Sequence, residues 1–158
     1  MKRKFMIVAL IIFDQLIKHI IFLNFMENKK YFFDRRFGFV PYLNKDQLSI
    51  FNNEMNLNLS LFTLILINIA SIIIIAYLYN YIKKREYTNS LFENAFIMLT
   101  AGVVCSFIDK ITLGGSLDYI LFFKHIHDLK DFYLYIGFIL IIIYMITNLI
   151  HEKRSKGN

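Results

Sequence analysis

The chain carries three aspartates, Asp109, Asp118 and Asp131, around a short segment that separates two strongly apolar stretches. Acidic side chains at the point where a chain enters or leaves a membrane are costly unless they have a function. If the segment folds so that Asp118 approaches Asp131, two carboxylates in a partly desolvated site cannot both ionise easily, and one keeps a proton. One group is then a general base and the other a general acid. Such a pair can activate water for attack on a peptide carbonyl and protonate the leaving amine.

Gly114 and Gly115 follow the apolar stretch that contains Asp109. Glycine adopts backbone conformations closed to other residues, so the two glycines predict a sharp turn that brings Asp118 back towards the helices. Asp131 has a second interpretation, because Asp is a preferred N-cap and the helix dipole favours an anion at that position. Taken alone, Asp131 is better explained as a cap, and it is the pairing with Asp118 that favours a catalytic role.

Asp14 and Lys18 lie four residues apart in the first apolar stretch. On a helix this spacing places them on one face, where they can form an ion pair that must turn inward, away from lipid. A structural ion pair between helices and a direct role with substrate both remain open. Ser106 and Asp109, three residues apart, share one face of the third apolar segment in the same way.

Other sets of reactive side chains give weaker indications. His125, His127 and Asp128 could be argued as metal ligands, but two histidines at this spacing in a loop match no metal-binding signature. Ser116 near His125 does not make a hydrolase triad, because nothing in the spacing orients the histidine. The sequence contains neither a Gly-rich phosphate loop nor a nucleophile elbow. We therefore predict no metal and no cofactor, and interpret both histidines as loop or interface residues.

The composition is that of a membrane protein. Of the 158 residues, 57% are hydrophobic, and the mean hydropathy is +0.49, which is too apolar for an ordinary soluble domain. The formal net charge of +6 does not indicate a nucleic-acid partner, since the basic residues flank apolar runs in short clusters. Anionic lipid headgroups are the expected counter-charge. The single cysteine, Cys105, is interpreted as a small packing residue.

Four segments approach the length of about 20 apolar residues that a helix needs to cross the hydrocarbon layer. With four crossings both termini lie on one side together with three basic clusters, and the positive-inside rule makes that side cytoplasmic. Asp14 and Lys18 interrupt the first run, so we expect an uncleaved first helix and not a signal peptide. The prediction is a single integral membrane domain, 1–158, with helices at 5–25, 57–82, 95–113 and 132–150 and basic clusters at 2–4, 83–85 and 153–156.

An outer cap is predicted between the first two helices, over residues 26–55. Its basic side chains are mixed with Tyr and Phe rings, a pattern expected of a segment that lies in the membrane interface. Those basic residues lie on the predicted outer side of the membrane. The difference in positive charge between the two sides, which sets the orientation, is therefore moderate. Pro41 indicates a turn or an edge position, and short β-strands are compatible with the cap. The predicted fold class is therefore an all-α membrane protein with four transmembrane helices and an extracytoplasmic interfacial cap that can contain short β-strands.

The motifs, in this order, resemble those of lipoprotein signal peptidase, the bacterial signal peptidase II, over nearly the whole chain. Asp14-Gln-Leu-Ile-Lys18 is similar to the family's D-Q-x-x-K box. Asn44 falls where the family has an asparagine in its outer cap, although the Gly-Ala-Ala-Phe that usually follows is absent. Segment 101–110 is similar to G-G-x-x-G-N-x-x-D-R, segment 115–120 to G-x-V-D-F-I, and segment 127–131 to F-N-x-A-D.

The resemblance implies a membrane aspartyl endopeptidase with Asp118 and Asp131 as its catalytic pair. The substrate would be a prolipoprotein whose lipobox cysteine carries diacylglycerol, cut on the amino side of that cysteine. We expect a monomer in the bacterial cytoplasmic membrane, in contact with lipids, with both termini cytoplasmic, the active site at the outer face and no nucleic-acid partner. The supporting polar residues of the site would be Asp14, Lys18, Asn44, Ser106 and Asp109.

Departures from these motifs include Ser106 for Asn, Lys110 for Arg, Asp128 for Asn and Lys130 for Ala. Ser offers fewer hydrogen bonds than Asn, and Asp128 adds a third carboxylate that would raise the apparent pKa of the pair. The sequence therefore predicts a divergent member of the family. The alternative is a non-catalytic four-helix scaffold, or an inactive or retuned paralogue. An ion or proton pathway is disfavoured, because the ionisable residues gather towards one face.

Overall fold

The structure is a computed structural model that describes residues 2–45, 57, 59–85 and 88–156. The second part of the predicted cap, residues 46–56, lies outside this described part of the chain. In chain order the elements are α1 (Lys2–Asn24), β1 (Lys30–Phe32), β2 (Phe37–Asn44), α2 (Leu61–Arg85), α3 (Ser90–Thr112), β3 (Ser116–Phe122), β4 (His125–His127) and α4 (Leu129–Lys156).

The described residues contain four long helices, and all four are long and apolar enough to cross a membrane, which confirms the four candidate spans that the sequence predicts. Their bounds differ from the prediction by a turn or so, and α3 shows why. It begins at Ser90 because the side chain of Asn89 accepts a hydrogen bond from the backbone N–H of Phe92 at 3.1 Å. A side chain in this position satisfies one of the free donors of the first turn, so it fixes where the helix starts.

The third helix, α3, is the centre of the bundle. Within its apolar window 44% of the residues are buried, against 11% to 17% in the other three helices. Small residues allow this, since a Cβ at Gly102 would lie 2.7 Å from Cδ2 of Leu134, and one at Gly137 would lie 2.8 Å from Cγ of Leu99. Small residues at helix contacts let backbones approach closely in membrane proteins. The start of α4 is therefore held tightly against α3.

A four-stranded antiparallel sheet, in the order β1-β2-β3-β4, lies at the end of α1 and the start of α4. Strands β1 and β2 come from the predicted cap, as expected. Strands β3 and β4 come from segment 116–127, which the sequence led us to treat as a loop. Pro41 lies inside β2 and not in a turn; the pairing of β2 with β3 is irregular between Phe39 and Tyr42, which is where a residue without a backbone donor is tolerated.

Two buried clusters fix the two ends of the molecule. Beneath the sheet, Leu117 and Tyr119 of β3 pack on Ile21 of α1. This contact explains why β3 is a strand, because alternate apolar residues of one face become buried against a helix. At the opposite end, rings from α2, α3 and α4 pack together: Tyr79, Phe92, Phe96 and Tyr144.

Candidate active site

The segment after α3 brings three carboxylates together. Asp118 lies on β3, and Asp128 and Asp131 lie at the start of α4. One carboxylate oxygen from each of the three is within 4.8 Å of the other two. A water molecule accepts or donates hydrogen bonds at about 2.8 Å, so one water can bridge oxygens of Asp118 and Asp131 at this separation. Asp118 is buried and the Asp131 side chain is 19% exposed, which leaves the pair reachable from outside.

A tight turn after α3 places Asp118. The N–H of Leu113 donates to the carbonyl oxygen of Asp109 at 2.8 Å, and Gly114 follows with φ +64°. This left-handed conformation ends a helix and favours glycine, as the sequence predicted. A side chain at Gly115 would collide with the carbonyl oxygen of Asn44. The close approach lets β3 start beside the end of β2, with Asp118 opposite Tyr42.

Asp128 and Asp131 form a reciprocal cap on α4. The N–H of Asp131 donates to Oδ1 of Asp128 at 3.2 Å, and the N–H of Asp128 donates to Oδ2 of Asp131 at 3.2 Å. This is the geometry of a capping box. The helix begins at Leu129, so Asp128 is the N-cap and Asp131 the third helical residue, whereas the sequence suggested Asp131 as the cap. The carboxylate of Asp131 therefore has a fixed orientation.

The surroundings of Asp118 favour retention of a proton. Burial raises the pKa of Asp118 to about 6, the positive charge of Lys130 opposes this, and the negative charge of Asp128 adds to it. The hydroxyl of Ser116 donates to Oδ1 of Asp118 at 2.7 Å. Asp128 behaves in the opposite way: burial opposes its ionisation, but the charges of Lys130 and Lys18 hold the pKa of Asp128 below its ordinary value.

A buried lysine connects the first helix to this site. Nζ of Lys18 lies 2.9 Å from Oδ2 of Asp14, 2.6 Å from Oδ2 of Asp109 and 2.7 Å from Oδ2 of Asp128. The predicted ion pair of Asp14 and Lys18 is thus present, and it extends to α3 and to the cap of α4. Gln15 adds a hydrogen bond from Nε2 to Oδ1 of Asp109 at 2.9 Å. Buried charges need such partners, so this network joins three elements.

A second buried lysine, Lys130, lies among the acidic residues. Its Nζ is 3.2 Å from Oδ2 of Asp109 and 3.8 Å from Oδ1 of Asp118, and it contacts Oδ2 of Asp128 directly. It also donates to Oγ of Ser116 at 2.7 Å. The three clustered aspartates have the ligand type that suits a hard cation. The negative charge of this cluster is met here by an ammonium group of the protein itself.

Asn44 and Ser106 differ in their relation to the pair. Asn44 is buried at the end of β2, opposite Ser116 in the strand register, and so lies beside the strand that carries Asp118. Ser106 accepts a hydrogen bond from Lys110 at 2.8 Å and one from Asn68 at 3.4 Å. It lies one turn before Asp109 on α3, so its contacts order the helix that carries Asp109.

A family model described as signal peptidase (SPase) II matches residues 6–147 of the chain. The chain belongs to the signal peptidase II family. It is 32% identical over 152 residues to a protein of Lactobacillus johnsonii named lipoprotein signal peptidase, and the match covers 90% of this chain and 91% of that protein. The recognition made from the motifs is therefore confirmed, and the protein is a membrane peptidase.

Two solved structures of bacterial membrane enzymes, determined by the in meso method, have the same fold as this signal peptidase II family member. One, at 2.3 Å resolution, is 25% identical, with a TM-score of 0.76 over 94% of this chain and 89% of that one. The other, at 1.9 Å resolution, is 26% identical, with a TM-score of 0.73 over 91% of this chain and 92% of that one. The likeness extends over the helices and the sheet together.

Several site residues of this family member were missed in the sequence. The sequence identifies Lys130 only as a departure from a motif and gives Ser116 no role, but in the structure both contact Asp118 or its partners. The sequence indicates only a loop or interface position for His127, whereas in the structure its Nδ1 lies 3.6 Å from Oδ2 of Asp131, and the Tyr135 hydroxyl lies 3.5 Å from that nitrogen. A prediction of a strand within 116–127 would have revealed the contact of Ser116 with Asp118, because residues two apart in a strand lie on the same face.

Proposed function

We propose that this membrane peptidase is an aspartic endopeptidase that removes signal peptides from diacylglyceryl-modified prolipoproteins, cutting on the amino side of the lipidated cysteine. The observation that carries the proposal is the approach of Asp118 and Asp131, with carboxylate oxygens within 4.8 Å, in a site where burial raises the pKa of Asp118 to about 6. The name of the Lactobacillus johnsonii relative, lipoprotein signal peptidase, supports the substrate class.

The proposed reaction uses one proton shared by the pair. Asp131, as the base, takes a proton from a bridging water while the water oxygen forms a bond to the peptide carbonyl carbon. Asp118 gives its proton to the carbonyl oxygen, so a neutral tetrahedral intermediate forms. Asp131 then passes its proton to the leaving nitrogen, the carbon–nitrogen bond breaks, and a hydroxyl of the intermediate returns a proton to Asp118. The products are a carboxyl group and an amine, and the pair again holds one proton. The proton belongs to the pair, as expected of two interacting carboxyl groups.

The other predicted site residues are proposed as supports. Lys18 holds Asp14 and Asp109 to the cap of α4, since it contacts all three elements. Asn44 lies at the edge where β2 meets β3, and Ser106 orders α3 through Lys110. None of these side chains is assigned a proton-transfer step.

The substrate and the sheet are proposed to meet at the outer membrane surface, with both termini in the cytoplasm of a bacterial cell. A lipidated cysteine stays in the bilayer, so the bond to be cut lies at headgroup level. The hairpin tips of the sheet carry exposed rings, with Phe33 79% and Phe123 53% exposed. Three successive residues of one tip, Phe33, Asp34 and Arg35, have left-handed φ angles of 48°, 52° and 63°, so the chain turns sharply at that tip.

Cysteine labelling tests this orientation. Cys105 is buried, so a cysteine in place of Lys124, at the β3–β4 tip, provides a single accessible thiol. We expect a membrane-impermeant thiol reagent to label that cysteine in intact cells. A cysteine in place of Lys84, at the C-terminal end of α2 and on the proposed cytoplasmic side, is the matched variant. It should react only after permeabilisation. The reverse pattern would overturn the proposed orientation.

Cleavage of a purified diacylglyceryl-modified prolipoprotein tests the activity. Asp118→Asn and Asp131→Asn remove the ionisable groups and keep the side-chain shapes, so each should lower the rate by about 100-fold or more, the range expected for loss of acid–base catalysis. Asp34→Asn, at the exposed hairpin turn, should cut like the unmodified protein. Undiminished cleavage by either site variant contradicts the catalytic pair. A folded protein that cuts none of several lipobox sequences would instead favour the non-catalytic scaffold.

A further inference from the structure

Lys130 reaches the centre of the proposed active site from the first turn of α4. Its side chain is 6% exposed, and its Nζ contacts Oδ2 of Asp128 and lies 3.2 Å from Oδ2 of Asp109. A lysine that is removed from water with its charge must be held by partners of this kind. The same Nζ lies 3.8 Å from Oδ1 of Asp118, so its positive charge acts directly on one member of the proposed pair.

Ser116 joins Lys130 to Asp118. The lysine donates to the serine oxygen at 2.7 Å, and the serine hydroxyl donates to Oδ1 of Asp118 at 2.7 Å. A hydroxyl has one proton to give, and here the ammonium group can donate but not accept. The lysine therefore donates to the serine oxygen, and the serine proton is left for Oδ1 of Asp118, which accepts it.

Charged groups from several elements surround Asp118, and their signs oppose one another. The two strongest are Lys130, which favours the ionised form, and Asp128, which favours the protonated form. Asp128 and Lys130 are themselves in contact, so the protein holds these opposing charges as one pair. The further groups that face the site are Asp131 of α4, His127 of β4, Asp109 and Lys110 of α3, Lys18 of α1 and Tyr42 of β2.

We propose that Lys130 is a positioning residue which, through Ser116, orients Asp118, and which offsets the negative charge of Asp128, so that the catalytic pair loses its shared proton at a lower pH than it would beside Asp128 alone. The inference rests on the proposed function for its catalytic meaning. Both members of this charge pair stand where the family motifs have uncharged residues, so the two departures act together in this chain.

The pH dependence of kcat/KM tests the inference, because its high-pH limb reports loss of the shared proton in the free enzyme. Without a cation near Asp118 the proton is held more tightly. Lys130→Met should therefore shift the high-pH limb to higher pH by about one unit or more, as is usual for loss of an opposite charge at this distance. Asp128→Asn should shift the limb to lower pH, because it removes a negative charge. The helix start is kept in this variant, since Asn is also a good N-cap. Lys130→Arg keeps the charge and should leave the limb in place.

The double variant Asp128→Asn/Lys130→Met removes the two opposing charges together. We expect its limb to lie close to that of the unmodified protein, and its thermal stability to exceed that of Lys130→Met, in which Asp128 loses a buried partner. A structural role alone predicts lower rates at every pH without displacement of the limb in any variant. That result would overturn the inference.

A second measurement separates this inference from the proposed function. The side-chain carbon of Asp118, in protein labelled with ¹³C-aspartate and assigned with Asp118→Asn, can be titrated by NMR in detergent without any substrate. We expect the pKa of Asp118 to rise in Lys130→Met and to fall in Asp128→Asn. An unchanged titration in both variants overturns the inference even if the enzyme cuts. The expected changes in a protein that cuts no prolipoprotein would support the electrostatic role of Lys130 and overturn the proposed function.

Discussion

Asp128 and Asp131 each accept a hydrogen bond from the backbone N–H of the other, both at 3.2 Å. The two interpretations of Asp131, helix cap and catalyst, are therefore compatible. Oδ2 of Asp131 is the atom engaged by the cap, and a carboxylate has a second oxygen for water. The start of α4 thus fixes Asp131 against Asp118 through its own backbone, without a separate supporting loop.

The raised pKa of Asp118 predicts that this residue lowers the stability of the protein at neutral pH. Because burial raises the pKa from its ordinary value of 3.8 to about 6, folding takes up a proton in this window, and the free energy of unfolding falls as the pH rises through it. Above the window the ionised group costs about 3 kcal/mol, since a pKa difference of one between the folded and unfolded states corresponds to about 1.36 kcal/mol. Asp118→Asn should therefore raise the unfolding temperature in detergent at pH 7 by several degrees.

Two comparisons check this pH effect. The advantage of Asp118→Asn should largely disappear at a pH near 3, where Asp118 is protonated in the folded state and largely so in the unfolded state. Asp34→Asn, at an exposed position in the turn between β1 and β2, should change the unfolding temperature little at either pH. An Asp118→Asn variant that is less stable than the unmodified protein at pH 7 would contradict the assignment of a destabilising buried carboxylate.

Removal of Lys18 should strongly destabilise the protein. Lys18→Met leaves Asp14, Asp109 and Asp128 without a cation that lies within 3 Å of each, and breaking a buried ion pair in this way costs about 3–5 kcal/mol. Thermal unfolding of the purified protein measures the loss. The exposed Lys84 of α2 offers a matched control, since Lys84→Met should unfold near the temperature of the unmodified protein.

A double variant tests whether Lys18 and Asp109 are energetically coupled. Lys18→Met leaves the buried cluster with one uncompensated negative charge, and adding Asp109→Asn removes that excess, so the double variant should be more stable than Lys18→Met alone. Additive losses from the two substitutions would show that Lys18 and Asp109 are energetically independent, contrary to their 2.6 Å separation.

The spans and the acidic residues could be predicted from the sequence because each leaves a local signal. Apolar length predicts a helix in a membrane, and the spacing of Asp14 and Lys18 predicts their contact without knowledge of the fold. The strands of segment 116–127 left a weaker signal. Leu117 and Tyr119 are buried because Ile21 lies beneath them, and the sequence does not state which helix a short strand will meet.

The position of Lys130 could not be predicted for a related reason. A lysine at the start of a helix is ordinarily solvated, and its long side chain can turn either way. In this protein it turns inward because Asp109 of α3 and Ser116 of β3 lie within 3.2 Å of its Nζ. Both partners come from other elements, so this contact depends on the packing of the whole bundle.

Close packing of α3 against α4 should be required for activity as well as for stability. A Cβ at Gly102 would lie 2.7 Å from a side-chain carbon of Leu134 and 3.2 Å from the carbonyl oxygen of Lys130. Gly102→Val should therefore push the first turn of α4 away from α3, at a cost of about 1–3 kcal/mol for overpacking. We expect a lower unfolding temperature and slower prolipoprotein cleavage, because Asp131 lies on that turn.

Ala76→Val is a suitable control for Gly102→Val, since it also adds methyl groups to a helix but at an exposed position of α2. It should change neither the unfolding temperature nor cleavage by much. Unchanged cleavage in Gly102→Val would indicate that the position of Asp131 does not depend on the contact of α3 with α4.

The exposed rings of the sheet should lie in the membrane interface. Phe33 contacts Phe37 edge to face at 6.0 Å, and Phe37 contacts Phe122 and Phe123 at 5.3 Å, so the two hairpin tips present one aromatic surface. Aromatic rings beside basic side chains favour the headgroup region.

The chain has no tryptophan, so Phe33→Trp provides a single fluorescent reporter. In vesicles with brominated phospholipids, we expect its emission to be quenched most by bromines near the headgroups. Ile73→Trp, in the middle of α2 and 63% exposed, should be quenched most by bromines deep in the acyl chains, because the hydrocarbon core surrounds that part of a spanning helix. A Phe33→Trp emission that resists both bromine positions but is quenched by aqueous iodide would place the hairpin tips in water, and would contradict a membrane-contacting role for the sheet.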